Sequence, residues 1–84
     1  MHDSFLMQNI IKALKDICKN NNFVRIKSVQ ITVNWDSHIT QQDLREHLME
    51  LCDEYINKDT IVVVVFGDVP ELIAKIDYIE GEEG

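Results

Sequence analysis

The chain has 84 residues, of which 45% are apolar, and its formal net charge is −7. A chain of this length builds only one hydrophobic core, so we expect a single globular domain over residues 1–84. Fifteen acidic residues outnumber eight lysines and arginines, which speaks against nucleic acid and anionic membranes as partners. No signal peptide is evident, and no apolar run approaches the roughly 18 residues that span a bilayer, so we expect a cytosolic location.

The first predicted element is a helix that begins after Asp3. Asp3 or Ser4 is predicted to cap its start. Asparagines at positions 20–22 are predicted to end it, because asparagine tolerates the left-handed backbone that closes a helix. Apolar residues recur at the three- and four-residue spacing of one helical face: Leu6, Ile10, Ile11, Leu14, Ile17 and Cys18.

A strand over about residues 28–35 comes next. Val24 and Ile26 are in the opposite alternation phase, which predicts a bulge near Lys27 and Ser28. The strand proper alternates polar residues with apolar ones: Val29, Ile31, Val33 and Trp35. It is therefore predicted to be half-buried.

After a loop over residues 36–38, a second helix is predicted from Thr40 to near residues 57–59. Thr40 and Asp43 have the spacing of a capping box, with aspartate in place of the usual glutamate. The helix follows an apolar stripe: Leu44, His47, Leu48, Leu51, Cys52, Tyr55 and Ile56. Cys18 and Cys52 both fall on apolar helix faces and have no metal-ligand spacing, so we interpret them as buried thiols.

The run from Ile61 to Phe66 has no polar member and predicts a strand covered on both faces, parallel to the first because a helix connects them. The segment after Gly67 is ambiguous, since it is compatible with a short helix through Lys75 or with a strand over residues 72–79. Residues 80–84 are predicted to be a frayed acidic tail.

The predicted order is helix, strand, helix, strand, strand. This is an α+β domain, with a mixed three-stranded sheet and two helices on one face. Two helices leave the other face open, so the apolar strand should present an apolar strip there. We predict that Val62, Val64 and Phe66 bind a partner protein or a second copy of the chain.

Enzyme chemistry has no anchor in this sequence. Neither cysteine falls in a loop, no GxSxG motif occurs, and the three glycines form no phosphate loop. We therefore expect a protein that is not an enzyme. Two of the histidines have ordinary interpretations: His47 as packed or hydrogen-bonded on the second helix, and His38 as solvated in its loop.

His2 is different, because a large second side chain normally preserves the initiator methionine with its free amine. The Met1 amine, the His2 backbone nitrogen and a His2 imidazole nitrogen can close two fused chelate rings on one metal. Three nitrogens in this arrangement suit square-planar Ni(II) or Cu(II). A histidine with no metal role is the alternative.

Met1, His2 and Asp3, ahead of a helix beginning near Leu6, resemble the MHE-x-S-L opening of the HypA nickel-incorporation proteins, which serve hydrogenase and urease maturation. Residues 28–44, SVQITVNWDSHITQQDL, resemble the family's strand, loop and second helix without a gap. The resemblance implies a metallochaperone-like accessory protein that binds Ni(II) at Met1 and His2. Asp3, which replaces the family's glutamate, would orient the site or contact a partner, and His38 is a candidate fourth ligand.

The chain departs from the family by a deletion. Family members normally carry a zinc lobe with two CxxC pairs after a strand like Ile61 to Phe66, whereas residues 67–70 stand there in this chain, so no zinc is expected. Residues 74–80 resemble the family's C-terminal strand, which favours a strand and a tight hairpin. The implied partner is a nickel-enzyme maturation protein or the chain itself. The alternative function is a metal-free interaction module that lost nickel delivery together with the lobe.

Overall fold

The computed structural model describes residues 2–84, without the side chains of His2 and Asp3. It contains two helices and a three-stranded mixed sheet in the predicted α+β order, which confirms the fold class. The elements are α1 (His2–Asn20), β1 (Phe23–Asn34), α2 (Gln41–Leu51), β2 (Ile61–Gly67) and β3 (Lys75–Glu83).

The strand order in the sheet is β2-β1-β3, so β1 is central. β2 runs parallel to β1, as predicted, and β3 runs antiparallel to it on the other edge. The predicted hairpin of the last two strands is therefore wrong, and residues 68–74 carry the chain across the end of β1. Asn34 Nδ2 donates to the Val69 carbonyl oxygen at 2.7 Å and holds this connection. Pairing with β1 packs Ile76 and Ile79 against the core, which explains why β3 occupies that edge.

Both helices cover the same face of the sheet. On β1, Val29, Ile31 and Val33 are fully buried against the helices, whereas Gln30 and Thr32 on the other face are only partly buried. This alternation is the predicted one for these residues, whereas Trp35, predicted on the buried face, lies beyond the end of β1 and is 66% exposed. The helices supply a further eight core residues: Leu6, Met7, Ile10, Ile11, Leu14 and Cys18 from α1, and Leu44 and Leu48 from α2.

β1 begins at Phe23, five residues before the predicted start at residue 28. The additional residues pair with the C-terminal half of β3, which was predicted to be a frayed tail. The tail is therefore strand as far as Glu83, and the Arg25 guanidinium lies 2.6 Å from a Glu82 carboxylate oxygen across the pair. The register between β1 and β3 shifts between Ile26 and Ser28, which confirms the predicted bulge.

The structure tests the predicted start and the predicted end of α1. The helix already includes His2, so neither Asp3 nor Ser4 is its N-cap. At the other end Asn22 has φ 56°, the left-handed conformation expected of a terminating asparagine. Neither helix of the described chain has the length and apolar character required to cross a membrane.

The cap of α2 is confirmed and its predicted length is wrong. Thr40 is the N-cap, and its hydroxyl accepts a hydrogen bond from the Asp43 N–H at 3.0 Å. The helix ends at Leu51, because the chain then turns toward the sheet. There the Tyr55 carbonyl oxygen accepts from the Ile26 N–H of β1 at 2.7 Å. A long-range backbone bond therefore replaces the last predicted helical turn.

The turn before β2 is fastened to β1 by a buried hydroxyl. Thr60 is 2% exposed, and its Oγ1 donates to the Ile26 carbonyl oxygen at 2.8 Å while accepting from the Asn57 N–H at 3.1 Å. The Arg45 guanidinium of α2 donates to the carbonyl oxygens of Thr60 and Lys58. These bonds set where β2 starts relative to the central strand.

Cys18 and Cys52 are free and fully buried, as predicted. Burial, assisted by the nearby Glu54 carboxylate, raises the pKa of the Cys18 thiol and raises the pKa of Cys52 to about 11. Both thiols are therefore protonated at neutral pH. A protonated thiol is neither a good nucleophile nor a ready metal ligand.

Candidate metal centre

A groove with a volume of about 450 Å³ runs between α1 and α2. Its apolar wall includes Met7, Ile11 and Ile39, which are buried. Exposed polar side chains form its rim: Ser4, Gln8, His38, Asp43 and His47. The groove therefore gathers both histidines whose side chains the structure describes, next to the first turns of α1.

The loop that carries His38 is held by local hydrogen bonds and one buried anchor. The Asp36 N–H donates to Asn34 Oδ1 at 2.8 Å, and the Ile39 N–H donates to Ser37 Oγ at 3.2 Å. Ile39 itself is 2% exposed and belongs to the core. His38 is thus an exposed side chain on an anchored loop, and it lines the same cavity as Ser4 of α1.

His47 is exposed on α2, and its own helix orients the ring. Nδ1 lies 2.9 Å from the carbonyl oxygen of Asp43, one turn earlier. Because a carbonyl oxygen can only accept, Nδ1 carries the hydrogen in this bond, and in the neutral ring Nε2 is therefore the nitrogen with the lone pair. The ring is hydrogen-bonded, which is one of the two interpretations made from the sequence, and it is not packed in the core.

The predicted N-terminal ligands fall at the limit of what the structure describes. Met1 lies outside the described residues, and His2 and Asp3 are described only by their backbone, in the first turn of α1. Elsewhere in the described chain, no group of three or more His, Cys, Asp or Glu residues could hold a metal ion. A metal centre at this groove would accordingly need donors from Met1 and His2.

The predicted partner residues Val62 and Val64 face the helices. They lie opposite the buried Val29 and Ile31 of β1, Val62 is 4% exposed, and Val64 packs against the core. Their expected position on the open face is therefore wrong. An unbroken apolar run has no alternation of its own, so the buried residues of β1 decide which side of β2 points inward. Phe66, on the same side, is 38% exposed near the end of the strand.

An exposed apolar strip does occur on the open face, formed by the other residues of β2. Ile61 is 60% exposed and Val65 is 38% exposed, with Val63 half-buried between them. Sequence patterning missed these residues because nothing in the run distinguishes odd from even positions. The open face therefore carries an exposed apolar strip, as predicted, and its residues are Ile61, Val63 and Val65.

Comparison with models of known protein families and with curated proteins finds no match to this chain. The case for a metal site accordingly depends on the donor atoms of the chain itself. Those atoms are the N-terminal nitrogens, the two groove histidines and the carboxylate of Asp43.

Proposed function

We propose that the chain is a cytosolic, metallochaperone-like accessory protein that binds Ni(II) as its cargo. The ligands are the Met1 amine, the His2 backbone nitrogen and the His2 imidazole. The observation that carries the proposal is the groove, in which His38 lines the same cavity as Ser4, two residues from His2. A loop imidazole therefore lines the same groove as the first turn of α1, which carries the proposed chelate.

The backbone of α1 is compatible with this chemistry. His2 is the first residue of the helix, and the first four N–H groups of a helix have no intrahelical acceptor. Replacing the His2 amide proton by a metal consequently breaks no hydrogen bond of the helix. The partial positive charge at a helix N-terminus, about half a unit, opposes a bound cation. Loss of the amide proton, the Asp43 carboxylate on the rim of the groove and the net charge of −7 counteract that repulsion.

The resemblance to the HypA proteins supports nickel as the ion and nickel-enzyme maturation as the setting. Residues 68–74, which connect β2 to β3, contain no cysteine and cannot supply a zinc lobe. Delivery of nickel to an enzyme would then depend on a partner protein. The proposal is accordingly for nickel binding by this chain and for delivery through a maturation partner.

Calorimetric titration with Ni(II) tests the site. We expect the wild-type chain to bind with proton release, and the affinity to fall below neutral pH, because the amine, amide and imidazole all bind unprotonated. His2→Ala and a chain extended by Gly-Ser at the N-terminus should each lose most of the affinity. Lys12→Ala, on an exposed position of α1 outside the groove, is the control and should bind as the wild type does. Equal affinity in all four proteins would exclude an N-terminal site.

A second function, a metal-free interaction module, is favoured by the strip of Ile61, Val63 and Val65. Ile61 alone is 60% exposed, which is unusual for a large apolar residue in a strand. In this alternative the strip binds a maturation partner or a second copy of the chain, and nickel has no part. A partner affinity that is identical with and without Ni(II) would support it against the first proposal.

A further inference from the structure

The groove between α1 and α2 has the size and composition of a small-molecule site. Its volume of about 450 Å³ lies within the range of about 300–1,000 Å³ found for ligand pockets. Such pockets are lined mainly by apolar side chains and carry a few polar groups that orient the ligand. This groove has the same division, with Met7, Ile11, Ile39 and Leu51 on its wall and polar side chains along its rim.

Leu51 is the apolar residue of this wall that the core leaves exposed. It is 49% exposed, whereas Met7, Ile11 and Ile39 are 9% exposed or less. Leu51 ends α2, and it also lines a second cavity of about 420 Å³ that shares Gln8 and Ile11 with the groove. The apolar surface therefore continues along α1, and a ligand that lay on Leu51 would bury area that folding leaves in water.

The charges around the groove favour a ligand that carries a positive charge. Asp43 lies on the rim, and its carboxylate has no salt-bridge partner among the residues that the structure describes. Lys12 and Lys15 line the second cavity and not the groove, and the Lys15 ammonium lies 3.8 Å from a Glu54 carboxylate oxygen. The net charge of −7 acts in the same direction. A cationic group at the rim would accordingly lie beside a carboxylate rather than beside a lysine.

We propose that this groove binds a small apolar amine. The apolar body of the ligand lies on Met7, Ile11 and Leu51, and its ammonium group lies beside the Asp43 carboxylate. An exposed ion pair contributes little affinity, so the apolar body supplies most of the binding free energy and Asp43 selects among ligands of similar shape. The site uses no donor atom of the N-terminus, so the inference goes beyond the proposed function and does not depend on it.

Three ligands that share one aromatic ring system test the proposal: tryptamine, indole and indole-3-propionate. They carry a positive charge, no charge and a negative charge, respectively. NMR titration of the isotope-labelled chain, with EDTA present to exclude metals, measures each dissociation constant. We expect tryptamine to bind about threefold more tightly than indole, the size of an exposed ion pair, and indole-3-propionate to bind most weakly. The amide shifts of Ile11 and Leu51 should change most.

Two pairs of matched variants locate the contacts. Leu51→Gln should weaken the binding of tryptamine about tenfold because the ligand loses apolar area. Leu72→Gln, the same change at a leucine that is 46% exposed outside the groove, should bind as the wild type does. Asp43→Asn should remove the preference for tryptamine over indole, whereas Asp68→Asn, at an exposed acid outside the groove, should keep it. Circular dichroism checks the fold of each variant.

The outcomes separate this inference from the proposed function. Equal binding of tryptamine and indole, or a preference that survives in Asp43→Asn, would overturn the assignment of an amine. Wild-type affinity in Leu51→Gln, or shift changes confined to residues outside the groove, would overturn the site. If none of the three ligands binds, the inference fails, and a separate Ni(II) titration still decides the proposed function. A chain that binds tryptamine in the groove and no nickel would retain the inference and lose the proposed function.

Discussion

Asp77 shows how a single residue ties two strands together on the open face. It is the extra residue where the pairing of β1 with β3 shifts register, between Gln30 and Ile31. Its Oδ2 atom accepts hydrogen bonds from Thr32 Oγ1 at 2.6 Å and from Gln30 Nε2 at 3.1 Å. These bonds, the one from Thr32 first, hold the pKa of Asp77 below its ordinary value. The ionised carboxylate therefore stabilises the bulge.

We expect the contribution of Asp77 to stability to disappear in acid. A carboxyl group whose pKa is lowered by folding contributes its full stabilisation above the ordinary aspartate pKa of about 3.9, and this is lost as the pH falls through the folded pKa. Asp77→Asn lacks that titration. The difference in the free energy of unfolding between wild type and variant, measured in urea, should therefore shrink as the pH falls below about 4. Asp16 is exposed on α1, and Asp16→Asn serves as the control. Its free energy of unfolding should differ little from that of the wild type, both near neutral pH and below about pH 4. A difference for Asp77→Asn that does not change with pH would contradict the assignment.

Among the elements, α2 depends most on its ends. It has 11 residues and buries only Leu44 and Leu48, and it is bounded by the Thr40 cap and by the turn after Leu51. Helices of this length are marginal alone, so the cap and the contacts of the following segment with β1 decide where it forms. The same helix carries His47 on the rim of the groove.

We expect Thr40→Ala to cost about 1 kcal/mol in the free energy of unfolding, because the Asp43 N–H loses its side-chain acceptor. Thr40→Ser keeps the hydroxyl and should cost only a few tenths of that value. Urea denaturation of the three proteins measures both differences. Equal destabilisation by alanine and serine would show that the methyl group of Thr40 matters and that the hydrogen bond does not.

At the scale of the whole molecule, the two faces of the sheet are unequal. The helices cover one face, and the other carries the apolar strip of β2 beside the polar side chains of β1 and β3. The strip includes Ile61 and Val65, and Tyr78 on β3 is 48% exposed. A domain this small buries a limited apolar area in its core. An apolar area that stays exposed on its surface therefore favours association with another molecule.

We expect the chain to self-associate through this strip, and the association to strengthen with salt because the net charge of −7 repels between copies. Sedimentation velocity over a range of concentrations measures it. Val65→Lys should abolish the association without unfolding the chain. Val24→Lys, at an exposed valine outside the strip, should leave it intact. A wild-type chain that stays monomeric at every concentration and salt would rule out this contact.

The local patterns of the sequence predicted the order of the elements and several of their internal features. Helical spacing identified the buried face of α1, the phase change after Ile26 located a bulge, and Thr40 and Asn22 marked where helices begin and end. Each of these features depends on residues within a few positions of one another. The proposed N-terminal chelate can likewise be inferred without the fold, because it uses consecutive residues.

Only the tertiary structure decided how the elements combine. The inward side of β2 follows from the buried residues of β1, and the edge taken by β3 follows from the burial of Ile76 and Ile79. The end of α2 follows from a backbone bond between Tyr55 and Ile26. His47, an ordinary helix residue in the sequence, shares a groove with His38 because two helices pack side by side on one sheet. Pairing and packing join residues far apart in the chain, and no local periodicity encodes which partner each element meets.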